Sequence, residues 1–211
     1  LAEDTLTTAP SALVPLCGFD LAGGEQARGP EEMRQALMPM LRECLHMTIH
    51  AGEIQDVESI WGAVYHLSAE RIGHGLTLGK KPALLDKFRD RDIAIEMCPS
   101  SNMQIVGFYD AFLSSSQDLP VYPLKTYLDQ GLRVTVNTDN PGISRTDMTN
   151  ELHRAARMTP GGLSLWEICA LVRNGFRAAF AQQDQRHRLL RHAEEEVITA
   201  LKQANLISGA S

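Results

Sequence analysis

The 211-residue sequence lacks what several large classes of protein require. No apolar run approaches the roughly 20 residues that a membrane-spanning helix needs, and no basic segment followed by an apolar one marks a secretory signal. The net charge is −6 and no basic cluster stands out, which argues against a surface that neutralises nucleic-acid phosphates. We therefore expect a cytoplasmic protein with neither a membrane nor a nucleic acid as its partner.

Paired cysteines and nucleotide-binding motifs are also missing. The four cysteines are scattered and none forms a C-x-x-C pair, which is typical of reduced thiols in the cytosol. Neither a G-x-G-x-x-G fingerprint nor a P-loop occurs, and this weakens any prediction of a nucleotide-binding open sheet. The cysteines are Cys17, Cys44, Cys98 and Cys169.

Strand-like and helical segments alternate along the chain. Five short apolar segments read as strands of a parallel sheet that is covered on both faces, so the sequence predicts an α/β fold. The strand-like segments are 12–17, which leads into GFDLAGG, then MTIHAGE, RIGHG, DIAIEM and LRVTVN. Helices are predicted at 31–45, 57–68, 81–90, 123–130, 147–158, 164–181 and about 184–205.

Two architectures fit this alternation, an open doubly wound sheet and a (β/α) barrel. Five units cannot close an eight-stranded barrel, so the barrel requires three more units before this segment. The sequence starts at Leu1 rather than at a methionine, and we expect residues 1–211 to be a single-domain, carboxyl-terminal piece of a longer chain.

Polar side chains stand at the carboxyl-terminal end of every predicted strand. In parallel α/β folds these ends meet at one edge of the sheet, where sites are built. Each residue also has a purely structural interpretation: His50 as a packed histidine, Glu53 as a helix cap, Glu96 as a buried partner of an arginine, Asp139 as a turn residue. The set is Asp20, His50, Glu53, His74, Glu96, 100–102, Asp139 and Asn140.

Two of these residues, His50 and Asp139, are suitable zinc ligands. A catalytic zinc uses about three protein ligands and a water molecule, so a pair is an incomplete site. Apart from His74, the other histidines lie before a strand or on predicted helices, and we expect the missing ligands to lie upstream of Leu1.

The motifs together resemble one enzyme family. GFDLAGGE, TIHAGE, RIGHGL, IEMCPSSN and VTVNTDNPG stand in the order and spacing of the adenosine deaminase family, a zinc-dependent branch of the metal-dependent hydrolases. The resemblance implies a partial (β/α)₈ TIM barrel with strands four to eight and the carboxyl-terminal helices. The family also uses an H-x-H pair on its first strand, and no H-x-H pair occurs in this sequence.

The resemblance also implies roles for the metal and catalytic residues. His50 and Asp139 match the family's Zn²⁺ ligands. Glu53 matches the acid that protonates purine N1, and His74 the residue that helps to activate the water on the metal. A raised pKa in a buried pocket would suit Glu53 to this task.

Four further residues match or support the substrate site. Gly23 matches the backbone contact to the purine ring, and Asn140 stands where the family commonly has a second aspartate that meets N7. Glu96 is expected to hydrogen-bond and orient His74, and Asp20 to support the site from behind. An asparagine amide can donate to N7 without needing a proton, so Asn140 is compatible with purine binding.

Three functions remain open. The first is hydrolytic deamination of adenosine or deoxyadenosine to the inosine form and ammonia. The second is deamination of adenine or of a modified adenosine nucleoside, and the third is an inactive homologue that only binds. The expected partners are a purine nucleoside and either a second copy or the missing amino-terminal half, because a partial barrel leaves sheet edges unpaired.

Overall fold

The computed structural model describes residues 16–25, 30–113 and 120–207 of the chain. Within them, five strands form one parallel sheet in the order β1-β2-β3-β4-β5. The order has no reversal, whereas a doubly wound sheet reverses at its switch point. The strands are β1 (Gly18–Leu21), β2 (His46–Ala51), β3 (Arg71–His74), β4 (Ala94–Met97) and β5 (Val134–Val136).

Helices follow the strands and close the chain, which confirms the predicted α/β class. A 3₁₀ turn at Leu78–Lys80 follows β3. The helices are α1 (Pro30–Arg42), α2 (Val57–His66), α3 (Pro82–Asp90), α4 (Pro99–Val106), α5 (Leu124–Asp129), α6 (Pro141–Ser144), α7 (Met148–Met158), α8 (Leu165–Ala178) and α9 (Gln183–Gln203). None of the helices described is both long and apolar enough to cross a membrane.

The first strand lies later in the chain than the sequence indicates. Residues 12–15 are outside the described residues, Leu16 and Cys17 precede the strand, and β1 begins at Gly18. A Cβ at Gly18 would lie 2.7 Å from the carbonyl oxygen of His46 and 2.9 Å from the Phe180 ring. Leu16 and Cys17 therefore precede the strand, and the small Gly18 occupies the position where the backbones approach closely.

Register and alternation divide the sheet into an apolar row and a polar row. Ile49, Ile72, Ile95 and Val134 are cross-strand neighbours and belong to the buried core together with helix residues such as Phe88. The next position on each strand points to the opposite face. That second row contains His50, Gly73, Glu96 and Thr135, which places the polar side chains away from the helical layer.

Local signals define the start of α8. The Ser164 hydroxyl accepts a hydrogen bond from the Glu167 amide, and the Glu167 carboxylate accepts one from the Ser164 amide at 2.6 Å, which forms a capping box. Lys125 on α5 forms an ion pair with the same carboxylate. Lys125 and Ser164 together lower the pKa of Glu167 to about 2.

Candidate functional site

The carboxyl-terminal ends of β1, β2 and β3 bring three of the predicted site residues together. His50 Nδ1 lies 3.0 Å from His74 Nε2, and the two rings meet edge to face. On its other side, His50 Nε2 lies 3.7 Å from a carboxylate oxygen of Asp20. The structure thus places Asp20 behind His50, where the sequence predicts a supporting residue.

Gly73 provides the space in which the His50 ring lies. The two residues are cross-strand neighbours, and a Cβ on Gly73 would stand 2.7 Å from Cδ2 of His50 and 3.3 Å from its Cα. The first distance is shorter than real Cβ contacts and the second is tighter than most of them, and the backbone atom cannot move away without displacing β2.

We expect Gly73→Ala to rotate the His50 ring away from His74 and to destabilise the fold by about 1–3 kcal/mol, as overpacking does. Urea unfolding measures the stability, and the imidazole NMR signals of His50 report the ring. Gly175→Ala on α8 is the matched control because no atom lies within 4 Å of its added Cβ. An unchanged His50 signal in the Gly73 variant would contradict the packing described here.

His74 is buried and held in an unusual backbone conformation. Its φ is +68°, in the left-handed region that non-glycine residues rarely adopt. Its Nδ1 lies 3.3 Å from a carboxylate oxygen of Glu53 and 3.0 Å from Nδ2 of Asn102. Such backbone conformations persist where the surroundings impose them, and they cluster at active sites.

Asn102 is a site residue whose role sequence reasoning missed. It is fully buried, and its Oδ1 accepts hydrogen bonds from the Cys98 amide at 3.2 Å and the Tyr122 hydroxyl at 3.0 Å. Its Nδ2 donates to Glu53 at 3.3 Å and contacts His74. The sequence shows Asn102 only as the end of a polar loop after β4, and no local signal identifies partners 28 and 49 residues away.

The contacts of Asn102 fix the tautomer of His74. A backbone N–H can only donate, so the atom facing the Cys98 amide is the oxygen, and the Asn102 nitrogen is left to donate to His74 Nδ1. Burial, followed by the charge of nearby His50, lowers the pKa of His74 to about 4. At neutral pH, His74 is therefore neutral and carries its proton on Nε2, facing His50.

Glu53 lies in the loop after β2, and the carboxylate of Glu25 fixes the backbone of that loop. The Glu25 carboxylate accepts hydrogen bonds from three successive backbone amides, those of Glu53, Ile54 and Gln55, at 3.0, 2.9 and 2.7 Å. Burial raises the pKa of Glu53, and the charges of Asp139 and Glu25 add to this effect. Glu25 is the last residue of GFDLAGGE, and its clamping role was not predicted from the sequence.

His50 has the opposite electrostatic balance to His74. Burial lowers the pKa of His50, but the Asp20 carboxylate, followed by Asp139 and Glu53, outweighs burial and raises it above the ordinary value. The pKa values of the two adjacent imidazoles are therefore shifted in opposite directions, that of His50 upward by its carboxylate neighbours and that of His74 downward by burial.

Asp139 lies at the end of β5 beside His74 and Cys98. Ligand atoms of these three residues lie within 4.8 Å of one another, and no other group of three or more metal-ligating side chains this close occurs in the described residues. Imidazole, carboxylate and thiol are donors that suit zinc, and the separation is compatible with tetrahedral coordination. Asp139 also has a left-handed φ of +55°.

His50 does not belong to this group of three residues. Its contact with the group is the approach of its Nδ1 to Nε2 of His74. The predicted pairing of His50 with Asp139 on one metal ion stays a prediction. Cys98 is an addition to the predicted set. Burial and the charge of Asp139 raise the pKa of its thiol, so the thiol is protonated when no cation lies beside it.

Asn140 caps the short helix α6. Its Oδ1 accepts a hydrogen bond from the Ile143 amide at 3.1 Å, which uses the oxygen and leaves the amide nitrogen as the free donor. The side chain is exposed. Capping and donation to a ligand are therefore compatible in one asparagine.

Gly23 lies in the loop after β1, on the wall of a cavity of about 250 Å³ that His50 and Glu25 also line. Its φ is +125°, which favours glycine, and no atom lies within 4 Å of an added Cβ. The backbone of Gly23 is thus open to a ligand that enters beside His50.

The expected hydrogen bond between Glu96 and His74 was wrong. Glu96 forms an ion pair with Arg71 at 2.8 Å and accepts a hydrogen bond from the Thr48 hydroxyl at 2.6 Å. The ion pair with Arg71 agrees with the alternative in which Glu96 has a structural role as the largely buried partner of an arginine. The register explains the difference, because Glu96 stands opposite Gly73, one residue before His74.

The buried carboxylate of Glu151 joins two segments near Asp139 by hydrogen bonds. Glu151 on α7 is fully buried and accepts hydrogen bonds from the amide and hydroxyl of Ser100 and from the Thr146 hydroxyl. It thereby ties the start of α4 to the segment that follows α6. Sequence reasoning missed Glu151 because it lies on a helix, far from the motifs.

Comparison with known proteins identifies the family. The sequence profile described as adenosine deaminase matches residues 7–196. The chain belongs to the adenosine deaminase family. The adenosine deaminase of Escherichia coli O1:K1 is 40% identical over 144 residues, which are 68% of this chain and 40% of that protein. This family member therefore spans about two fifths of the length of that curated relative.

Solved structures of deaminases and a related hydrolase are similar in fold to this family member. An amidohydrolase from Burkholderia ambifaria with bound Zn has a TM-score of 0.80 at 19% identity, covering 98% of this chain and 55% of that one. The N6-methyl-AMP deaminase from Arabidopsis thaliana has a TM-score of 0.67 at 26% identity, covering 85% and 49%. At 19% identity, the likeness to the B. ambifaria amidohydrolase shows a similar fold and nothing more.

Proposed function

We propose that the protein to which this chain belongs hydrolyses the 6-amino group of adenosine or deoxyadenosine, giving the inosine form and ammonia. The observation that carries the proposal is one hydrogen-bonded cluster at the carboxyl edge of the sheet. In it, Asn102 links Glu53 to His74, His74 contacts His50, and Asp139 lies beside His74. The membership of the adenosine deaminase family supports the same reaction.

We propose further that the sheet is part of a (β/α)₈ barrel, as its strands four to eight with the carboxyl-terminal helices, and that residues 1–211 form one domain. The uninterrupted parallel order supports this, and so does the likeness of fold to the B. ambifaria amidohydrolase. In the described residues β1 and β5 each have one neighbouring strand, so a barrel requires partners for both edges. The rest of the barrel or a second copy would supply them.

Zn²⁺ is the proposed cofactor, with Asp139 and His50 as its ligands from this chain. The left-handed backbone of Asp139 and its position beside His74 and Cys98 support a metal at this edge. When bound, zinc supplies a water molecule with a pKa lowered toward neutrality. Binding at His50 Nε2 would require that nitrogen to face the metal instead of Asp20.

Glu53 is the proposed acid that protonates purine N1. Purine C6 is a poor electrophile while the ring remains aromatic, and a proton on N1 weakens that aromaticity. The raised pKa of Glu53 favours the protonated carboxyl that this step needs. The hydrogen bond from Asn102 and the clamp from Glu25 hold the carboxyl in place for a single orientation.

His74 is proposed to orient the attacking water. Because Asn102 donates to Nδ1, the proton of neutral His74 is on Nε2, which lies 3.0 Å from His50 Nδ1. Orienting the water requires this N–H to donate to the water instead of to His50. An orienting role fits this tautomer better than removal of a proton. Gly23 and the free amide nitrogen of Asn140 are the proposed contacts to the purine ring and to N7.

Deamination of adenine or a modified adenosine nucleoside is the second candidate. The A. thaliana relative in fold and sequence is an N6-methyl-AMP deaminase, and Asn140 replaces the aspartate that adenosine deaminases commonly have. The proton-transfer residues would be shared between the two substrates. A cytoplasmic location remains an expectation from the unpaired cysteines.

The 211-residue chain alone is expected to bind zinc weakly and to leave adenosine unchanged, because two zinc ligands do not complete a catalytic site. The intact gene product is expected to hold one zinc and to deaminate adenosine. Metal analysis together with the change in adenosine absorbance measures both. Stoichiometric zinc with turnover by the chain alone would contradict the proposed division of ligands.

The intact protein also separates the candidate functions. Turnover of adenosine over adenine and N6-methyl-AMP supports the first candidate, and the reverse preference supports the second. A zinc-free intact protein that turns over none of the three would be the inactive homologue.

A further inference from the structure

A basic pocket lies at the amino-terminal edge of the sheet, the edge opposite the candidate site. The starts of β2, β3 and β4, the residue before β5 and the segment joining α8 to α9 enclose a cavity of about 380 Å³. Five arginines but only two carboxylates, Glu70 and Asp92, line it. In a chain of net charge −6, this is an unusual concentration of positive charge. The arginines are Arg71, Arg91, Arg133, Arg177 and Arg186.

The carboxylates at the pocket already have partners. Glu70 pairs with His46 at 2.8 Å, and Asp92 pairs with Arg133 at 2.7 Å. Within the described residues, Arg91, Arg177 and Arg186 have no carboxylate within ion-pair distance. Three guanidinium groups thus line one cavity without an ion-pair partner of their own, and an anion between them would be attracted by all three.

Arg133 adds an unused donor to this group. Its Nε is buried and has no hydrogen-bond partner in the described part of the chain. Burial lowers the pKa of Arg133, and the charges of Arg177 and Arg186 add to this effect while Asp92 opposes it. Arg133, Arg177 and Arg186 line the same cavity, which favours one shared anion over three separate ones.

The shape of the pocket limits the ligand. Phe180 stacks on His46 with ring centroids 4.7 Å apart, and the Arg71 guanidinium lies 3.6 Å from the Phe180 ring centre. Phe180 therefore offers no ready platform for a nucleobase. Arg71 already forms an ion pair with Glu96 and donates a hydrogen bond to the Ala178 carbonyl oxygen. It therefore forms part of the pocket wall. The pocket therefore offers guanidinium donors, and not an open aromatic face, to a ligand.

We propose that this pocket binds a phosphate group, either as inorganic phosphate or as a small phosphate ester. A phosphate carries up to two negative charges and several acceptor oxygens, and guanidinium groups bind it in paired hydrogen bonds. Arg177, Arg186 and the free Nε of Arg133 are the donors. The site does not depend on the proposed deaminase activity, because it lies at the other edge of the sheet.

Calorimetric titration tests the proposal, with inorganic phosphate as the probe and chloride holding the ionic strength constant. Saturable one-to-one binding is expected. In the double variant Arg177→Gln and Arg186→Gln, affinity should fall about tenfold for each guanidinium removed. Ribose 5-phosphate is the second probe, and tighter binding than that of inorganic phosphate identifies a phosphate ester as the preferred form.

Arg191→Gln on α9 is the matched control, since this exposed arginine lies on the same helix as Arg186 but outside the pocket. It should leave phosphate affinity unchanged. Arg177→Lys keeps the charge but loses the paired donors, and its affinity should lie between those of the native protein and Arg177→Gln. Absence of saturable binding by either probe, or equal losses in the control, would overturn the proposal.

Discussion

Replacing Glu53 by glutamine in the intact protein is expected to lower kcat for adenosine by about 10²–10⁴-fold, the range typical of a lost general acid. Glutamine keeps the size of the side chain and can still donate a hydrogen bond to purine N1, but it cannot transfer a proton. The zinc content should stay unchanged because Glu53 is not a proposed ligand. Initial rates from adenosine absorbance and metal analysis of the same preparation measure the two effects.

Glu58→Gln is the control for this variant. Glu58 is exposed at the start of α2 and pairs with Lys81, so its neutralisation should leave kcat unchanged. A Glu53→Gln variant that keeps the native kcat would remove the proposed acid from the mechanism. A variant that loses both zinc and activity would instead identify Glu53 as part of the metal site.

Asn102→Ala is expected to lower the free energy of unfolding by about 3 kcal/mol, because buried hydrogen-bonding groups would lose their partner. The Cys98 amide, the Tyr122 hydroxyl and the His74 imidazole all depend on this one side chain. Urea unfolding measures the stability. The NMR signals of the His74 ring should change as well, because no remaining donor fixes the tautomer at Nδ1.

Two further variants provide unfolding free energies with which the loss in Asn102→Ala is compared. Tyr122→Phe removes one hydrogen bond from Asn102 and should cost about 1 kcal/mol. Asn150→Ala on α7 removes an exposed amide and should be close to neutral. If Asn102→Ala were no more costly than Tyr122→Phe, Asn102 would not be the centre of the network.

Elements with strong local signals were predicted closely. The predicted helix at 81–90 is α3 at Pro82–Asp90, and the predicted helix at 147–158 is α7 at Met148–Met158. The capping box at Ser164 fixed the start of α8. Leu16 and Cys17 were predicted as strand because they continue an apolar segment, whereas the strand begins at Gly18, where the backbone approaches His46 closely.

The site was predicted in outline from the polar residues at the strand ends. Their position needed only the alternation of strands and helices, because parallel strands bring their carboxyl ends to one edge. The individual partners were harder to predict. Glu96 pairs with Arg71 and Thr48 because the register puts it one residue short of His74. That register is a property of the assembled sheet.

The basic pocket also could not be predicted from the sequence. Successive arginines of the pocket are separated by between 9 and 44 residues along the chain, so no cluster of positive charge is visible in the sequence. They meet only because several strand starts and the segment joining α8 to α9 share one end of the sheet. A search of the sequence for basic runs does not detect such a site.

The sequence by itself determined the α/β class, most helix ends and the candidate residues His50, Glu53, His74 and Asp139. These depend on hydrophobic periodicity, capping and motif order, which are local in the chain. Only the tertiary structure decided that Asn102 joins Glu53 to His74 and that Cys98 lies beside Asp139. Hydrogen bonds require partners within about 3 Å, and strand register and helix packing determine which distant residues come that close.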